Sequence, residues 1–274
     1  MVRLIAALAG LVLCAALLFG AVLPRDAEIP DPVKKHHLEP REDIKFSFDN
    51  PVTGGFDRGQ LQRGFQVYKE VCAGCHSLNR VAYRNLVDIG FNAAQVKALA
   101  KEAEVPSIDE KTGDPATRKA LPSDHFYGPY ANEAAARAAN NNALPPDFSL
   151  LAKAREGGSH YIASLVSGYA DAPSGWTVPD GLYYNPYFRS LNIAMPPPLS
   201  EDQVTYADGT KATVKQMATD VAAFMMWAAE PKLEVRHRTG VGVVLFLLIL
   251  CVLGYASYSR VWADIKHAKP VPAE

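Results

Sequence analysis

Cysteine is scarce in this chain, four residues in 274, and two of them, Cys14 and Cys251, sit inside long apolar stretches. Charge is nearly balanced at a formal net −1, so there is no basic footprint for nucleic acid. No alternation of apolar and polar residues persists long enough to argue for a sheet, and no internal repeat is visible. Neither a nucleophile nor an acid–base pair offers itself for catalysis. What the chain does have is concentrated in one five-residue motif and two apolar runs.

The motif is Cys72-Ala73-Gly74-Cys75-His76. Cys-x-x-Cys-His is the attachment pattern of a c-type haem. Residues three apart on a helical turn share a face, so both sulfurs can reach one edge of a porphyrin, each adding to a vinyl group. The histidine that follows is then placed to reach the iron. A thioredoxin-like pair needs no adjacent histidine and prefers a βαβ context, which is missing here. A zinc site needs a fourth ligand, and Cys14 and Cys251 cannot supply it from within apolar runs.

The apolar runs speak to compartment. Leu4 to Leu23 follows a short basic start, Met1-Val2-Arg3, and carries no charge. It reads as a secretory signal or a retained N-terminal anchor, with Ala21 and Ala27 as candidate cleavage ends; the basic flank favours the cleaved signal. It is not Arg- and Ser-rich like a mitochondrial transit peptide, so a bacterial periplasm fits better. Gly240 to Ser259 is a second uncharged run, long enough to cross a bilayer as a helix and bracketed by Arg236, His237, Arg238 and Arg260. Flanking cations balance, so the positive-inside rule does not orient it; the leader does. The expected organisation is 1–27 signal or anchor, 28–235 periplasmic haem domain, 236–260 transmembrane helix and 261–274 short cytoplasmic tail, in the bacterial inner membrane.

Between the runs, five segments have helical spacing: 60–71, leading straight into the motif, then 91–103, 132–139, 159–169 and 211–230, the last stopped by Pro231. Helices wrapped around a prosthetic group predict a mainly α domain. The second iron ligand decides its chemistry, because His/Met ligation suits electron transfer and an open position suits gas or peroxide chemistry. Met217, Met225 and Met226 share the 211–230 helix, where methionine usually fills core. Met195 lies in Asn192-Ile193-Ala194-Met195-Pro196-Pro197-Pro198, a loop that prolines hold extended. His125 and His160 are competitors.

Several stretches resemble the cytochrome c1 family, haem subunits of the cytochrome bc1 complex. They are Arg63-Gly64-Phe65-Gln66-Val67-Tyr68-Lys69-Glu70-Val71-Cys72 running into Cys75-His76, Ala135 to Asn141, Ala143 to Asp147, Gly181 to Phe188, Met195-Pro196-Pro197 and Trp227 to Pro231. The resemblance implies a cytochrome c-like haem domain with long loop insertions and one C-terminal transmembrane helix, carrying one covalently bound haem c. It implies His76 and Met195 as axial ligands, Arg155 beside a haem propionate, and Tyr161, Asn140, Pro145 and Pro146 around the ring. Implied partners are a cytochrome b subunit, a Rieske iron–sulfur protein and a soluble or anchored cytochrome c, within a dimeric complex; the chain is then an electron-transfer subunit rather than an enzyme by itself. Asn142 stands where the family commonly has glycine, which calls for a left-handed asparagine. The extra cysteine pair of some bacterial relatives is absent. Rival readings are a stand-alone anchored cytochrome feeding an oxidase and an open-site haem enzyme or sensor. Two acidic stretches, Asp109, Glu110 and Asp114, and Glu201, Asp202 and Asp208, are candidates for steering a basic electron acceptor.

Overall fold

The structure, a computed structural model, describes residues 2–22 and 32–263. The candidate cleavage end at Ala27 and nearly all of the expected tail, 264–274, lie outside the described residues. The chain divides into two units, 1–37 and 38–274. The first contains α1 (Val2–Val22), an apolar helix without an acidic first turn, and the short α2 (Pro32–His36).

The second unit is mainly helical, and its frame is a crossing of two helices. In α3 (Arg58–Glu70) the Asp57 carboxylate accepts from the Gly59 and Gln60 N–H groups, capping the start, while Leu61, Phe65 and Tyr68 form the buried face. In α7 (Val214–Ala229) the Thr213 hydroxyl caps the Gln216 N–H, and nearly every residue from Met217 to Ala228 is buried. The two helices meet at Gly64. A Cβ there would lie 2.0 Å from the Asp220 carbonyl oxygen and 2.7 Å from the Phe224 Cβ. Next to this contact Arg63 donates from Nε to Asp220 Oδ2 at 3.0 Å and from Nη1 to Asp208 Oδ2 at 2.8 Å, and Gln216 adds a bond to Asp220 at 2.9 Å. Burial pushes the Asp220 carboxyl up from its ordinary value, against the pull of Arg63 and Gln216; removing those partners would leave a buried charge uncompensated.

Of the other helices, α4 (Ala93–Glu102) packs on the 3₁₀ segment Tyr83–Ile89, α5 (Glu133–Ala139) follows, and α6 (Gly158–Ser167) lies against α7. All five helices expected from the sequence form, with ends shifted by one to three residues: α3 starts two residues earlier than expected and α6 one, while the other three are shorter. The strands were not legible. Among the described residues there are three two-stranded antiparallel pairs: β1 (Leu78–Ala82) with β4 (His125–Phe126), β2 (Glu104–Ile108) with β3 (Pro115–Lys119), and β5 (Tyr183–Tyr184) with β6 (Asn192–Ile193). In the β2–β3 ribbon Val105 is buried, the cross-strand pair Ser107 and Ala116 is half-buried and the rest is exposed, so there is no apolar stripe long enough to leave a period in the sequence. Its turn uses the first acidic stretch: Asp109 Oδ1 accepts from the Lys111 and Thr112 N–H groups, and the Asp109 N–H donates to the Asp114 carbonyl.

The last helix, α8 (Leu233–Val261), begins inside this unit. Leu233 is buried, Glu234 accepts from the Phe56 N–H and from Arg58, Arg236 pairs with Glu230, and the buried His237 donates from Nδ1 to the Gly54 carbonyl at 3.1 Å. Beyond Thr239 the apolar side chains are exposed. Among the described residues α8 is the helix long and apolar enough to cross a membrane.

Gly64→Ala forces the α3–α7 backbones apart. Overpacking of this kind costs about 1–3 kcal/mol, so chemical denaturation of the variant should show a lower midpoint with an unchanged slope. A wild-type midpoint would mean that the crossing tolerates a methyl group.

Candidate haem site

The motif residues occupy the turn where α3 ends. After the cap residue Val71, Cys72–Gly74 form a 3₁₀ turn, and the Cys75 and His76 N–H groups both donate to the Cys72 carbonyl, at 3.1 and 2.9 Å. The two thiols are unbridged. Burial, with Cys75 nearby, pushes the Cys72 thiol up to about 12, so it is a neutral thiol at pH 7.

His76 is buried, and its Nδ1 lies 2.8 Å from the Pro146 carbonyl oxygen. A carbonyl can only accept, so Nδ1 carries the proton and Nε2 keeps its lone pair. Burial lowers the imidazole pKa, outweighing the Pro146 bond, so the ring is neutral at pH 7. Phe148 stacks on the imidazole with centroids 4.2 Å apart and planes inclined by 25°. The segment that carries Pro146 and Phe148 is zipped to the motif's far side: Asp147 accepts from the Ser77 hydroxyl and from the Asn79 and Ser149 N–H groups, and the Phe148 N–H donates to the Ser77 carbonyl. Burial works to raise the Asp147 carboxyl, but these bonds win and hold it below its ordinary value.

Upstream, Asn140 ends α5 with its Nδ2 on the Ala136 carbonyl. Asn141 and Asn142 both take left-handed backbone, φ 48° and 62°, as the asparagine in place of glycine requires. Pro145 is half-buried and Pro146 exposed.

The methionine side is built by different elements. Met195 is half-buried in the loop after β6. Its carbonyl accepts from the Tyr169 hydroxyl at 2.9 Å. The β5–β6 hairpin that leads to it is tied to α6 through the buried Asn185, whose Nδ2 donates to the Leu165 carbonyl at 2.8 Å. Tyr161 is half-buried on α6; Arg155, just ahead of that helix, is exposed and donates to the Ala154 carbonyl. Of the competitors, Met217 and Met225 are buried in α7 and Met226 is half-buried there. His160 has Nε2 3.2 Å from Asp49 Oδ1 and packs edge-on to Phe46, and His125 sits in β4 opposite Ala82. One described bond joins the two sides, from Asn141 Nδ2 to the Gly181 carbonyl at 3.3 Å.

This donor set fits a haem better than a bare ion. Among the described residues no cluster of three or more His, Cys, Asp or Glu could hold a metal. One neutral imidazole, one thioether and two thiols suffice only when the other iron ligands come with a macrocycle. Half-buried apolar residues on the same elements, Leu151, Leu165 and Val166, suit its faces. Sequence reasoning missed Phe148, Asp147, Tyr169 and Asn185. An Asp directly after Pro-Pro is a turn signal that pointed to Asp147; the rest left none.

Comparison with known proteins agrees with this geometry. Residues 46–265 match the Cytochrome C1 family. Cytochrome c1 of Rhodospirillum rubrum is 47% identical over 232 residues, covering 79% of this chain and 85% of the relative. The cytochrome b-c1 complex catalytic subunit of Candida albicans mitochondria is 47% identical over 215 residues, 78% of this chain and 75% of the relative. Cytochrome b/c1 of Bradyrhizobium diazoefficiens is 45% identical over 242 residues, 80% of this chain but 35% of that longer protein. With a Cys-x-x-Cys-His turn, a neutral histidine beside it and a match across most of its length, this chain belongs to the cytochrome c1 family.

Proposed function

We propose that the chain is the haem-bearing electron-transfer subunit of a quinol–cytochrome c oxidoreductase, not an enzyme by itself. Cys72 and Cys75 would hold one haem c through thioether bonds, and His76 Nε2 and the Met195 thioether would be the protein's donors to its iron. The bound haem supplies a one-electron iron couple. The residues do the rest. The Pro146 carbonyl and Phe148 fix the imidazole's proton and plane, and prolines 196–198 limit the freedom of the thioether. Arg155 would offset a propionate, and Asn140, Pro145, Pro146 and Tyr161 would pack the ring.

The observation that carries this reading is the neutral His76 imidazole with Nε2 unprotonated, one turn from two free thiols. Saturated His/Met ligation suits transfer of an electron without ligand chemistry. The chain would take one electron from a Rieske iron–sulfur protein and pass it to a soluble or anchored cytochrome c, with the quinol sites on a cytochrome b. The names of the Candida and Bradyrhizobium relatives support the cytochrome b partner and the complex; a dimeric complex follows from the resemblance alone. The leader favours a periplasmic haem domain anchored by α8 in a bacterial inner membrane.

Affinity purification of the tagged chain from detergent-solubilised membranes tests the assignment. Cytochrome b and a Rieske protein should co-purify, with haem c reduced on adding quinol. Purification without cytochrome b would replace this reading with a stand-alone anchored cytochrome.

Covalent attachment is tested by Cys72→Ser with Cys75→Ser, which should leave all haem extractable by acid–acetone; haem that stays on the double variant contradicts the assignment. Met195→Leu should lower the reduction potential, remove the near-infrared sulfur–iron band and open the iron to carbon monoxide. The same result from Met217→Leu, with Met195→Leu silent, would reverse the ligand choice.

A further inference from the structure

A cleft of about 540 Å3 opens where α8 leaves the haem domain, between the turn Val52–Gly55 and the helix face made by Glu234, His237, Arg238 and Val241. Its walls are locked. Asn50 holds the turn, accepting from the Val52 and Thr53 N–H groups on Oδ1 and from the Gly54 N–H on its carbonyl, and His237 Nδ1 ties Gly54 to the helix. A Cβ on Gly55 would come within 3.2 Å of Glu234 Oε1, so glycine there keeps the turn close to the helix.

The charges around the cleft are unequally matched. Glu234 is satisfied by the Phe56 N–H and Arg58, and Arg236 is paired with Glu230. The Arg238 side chain makes no hydrogen bond or close ion pair among the described residues, although against burial its charge helps hold the Glu234 carboxyl down, and it is exposed at the rim. Below it the lining turns apolar. Val52 on one wall and Val241 on the other are 57% and 40% exposed, which for Val52 is unusual next to a buried helix start.

Depth makes this combination informative. The uncharged stretch that starts at Thr239 spans roughly 30 Å to Ser259 at 1.5 Å per residue, the thickness of a hydrocarbon core. Arg238 therefore stands at the level of lipid headgroups, and Val241 at the level where acyl chains begin. We propose that this cleft binds one anionic phospholipid, its phosphodiester on Arg238 with the Thr53 hydroxyl as second donor and one acyl chain between Val52 and Val241. Its volume is in the range of small-molecule sites, and a guanidinium with its hydrogen-bond donors free, over two apolar valines, complements a phosphate above a hydrocarbon chain. The site would seat the haem domain at a fixed height on the bilayer.

The proposal rests on α8 spanning the membrane, and that premise is checked separately: release of the full-length protein by alkaline carbonate would refute the span itself. The site is tested on holoprotein extracted in mild detergent with its co-purifying subunits and washed with phosphatidylcholine. Phosphatidylglycerol retained per haem is then counted by mass spectrometry. Wild type should retain one, and Arg238→Gln should weaken retention roughly fivefold. Val241→Trp, which fills the cleft without touching charge, should do the same, while Arg260→Gln at the far end of α8 should behave as wild type. Unchanged haem spectra establish that each variant is folded. Equal retention in all four proteins overturns the proposal, and so does an Arg260→Gln loss matching that of Arg238→Gln, which would mean diffuse attraction. A photo-crosslinking residue in place of Val52 should capture lipid; capture of a polypeptide would assign the cleft to a subunit contact instead.

Discussion

The bond from His76 Nδ1 to the Pro146 carbonyl is the constraint on which the candidate haem site depends. It settles the imidazole tautomer, leaves Nε2 with a lone pair, and joins the motif turn to a segment seventy residues later. Asp147 and Phe148 reinforce it from either side, one by zipping the two segments together and the other by lying on the ring. A histidine held this way has little freedom to protonate or rotate, which suits a ligand meant to stay bound through repeated oxidation and reduction.

That bond is useful only because the turn bearing His76 is itself fixed. The turn continues α3, and α3 is pressed against α7 at Gly64, with the Arg63–Asp220 pair beside the contact. The methionine side reaches the same helix by another route. Its hairpin is tied through Asn185 to α6, and α6 packs on α7. Thus α7 serves as the common platform for both halves of the site, although it supplies none of the proposed ligands. Its methionines explain themselves in the same way. Met217 and Met225 are buried where other helices cover α7, and Met226 beside them is half-buried, whereas Met195 sits on a proline-stiffened loop, which is why it is the proposed thioether donor.

How much of this was legible depends on whether a feature leaves a pattern. The helices did, because apolar residues recur along α3, α4 and α6 at helical spacing and Pro231 marks where α7 must stop. The motif and the proline loop did, because particular residue types at particular spacings are needed there. Asn142 was legible through conformation, since a left-handed turn tolerates few residues besides glycine and asparagine. The short strands were not, since a largely exposed ribbon has no apolar face to bury. Bonds to backbone carbonyls were invisible as well. Any segment has a carbonyl to offer, so nothing in the sequence announced Tyr169 on Met195 or His76 on Pro146. Acidic residues were the most ambiguous. Asp208 looked like a free charge near the methionine loop, yet it is an ion-pair partner of Arg63, and the Glu201 carboxylate accepts from the Val214 N–H at the start of α7.

The start of α8 shows the same economy of means at the membrane. Its first turns are bonded into the haem domain through Glu234 and His237 before the apolar stretch begins, so domain and anchor meet without an unstructured linker. The central claim, a haem saturated by His76 and Met195 and built for electron transfer, is tested most directly by the optical spectrum of the dithionite-reduced wild-type protein before and after carbon monoxide. A sharp low-spin c-type spectrum that carbon monoxide leaves unchanged is the result this account predicts. A spectrum that shifts on adding carbon monoxide would show an open iron position and contradict it.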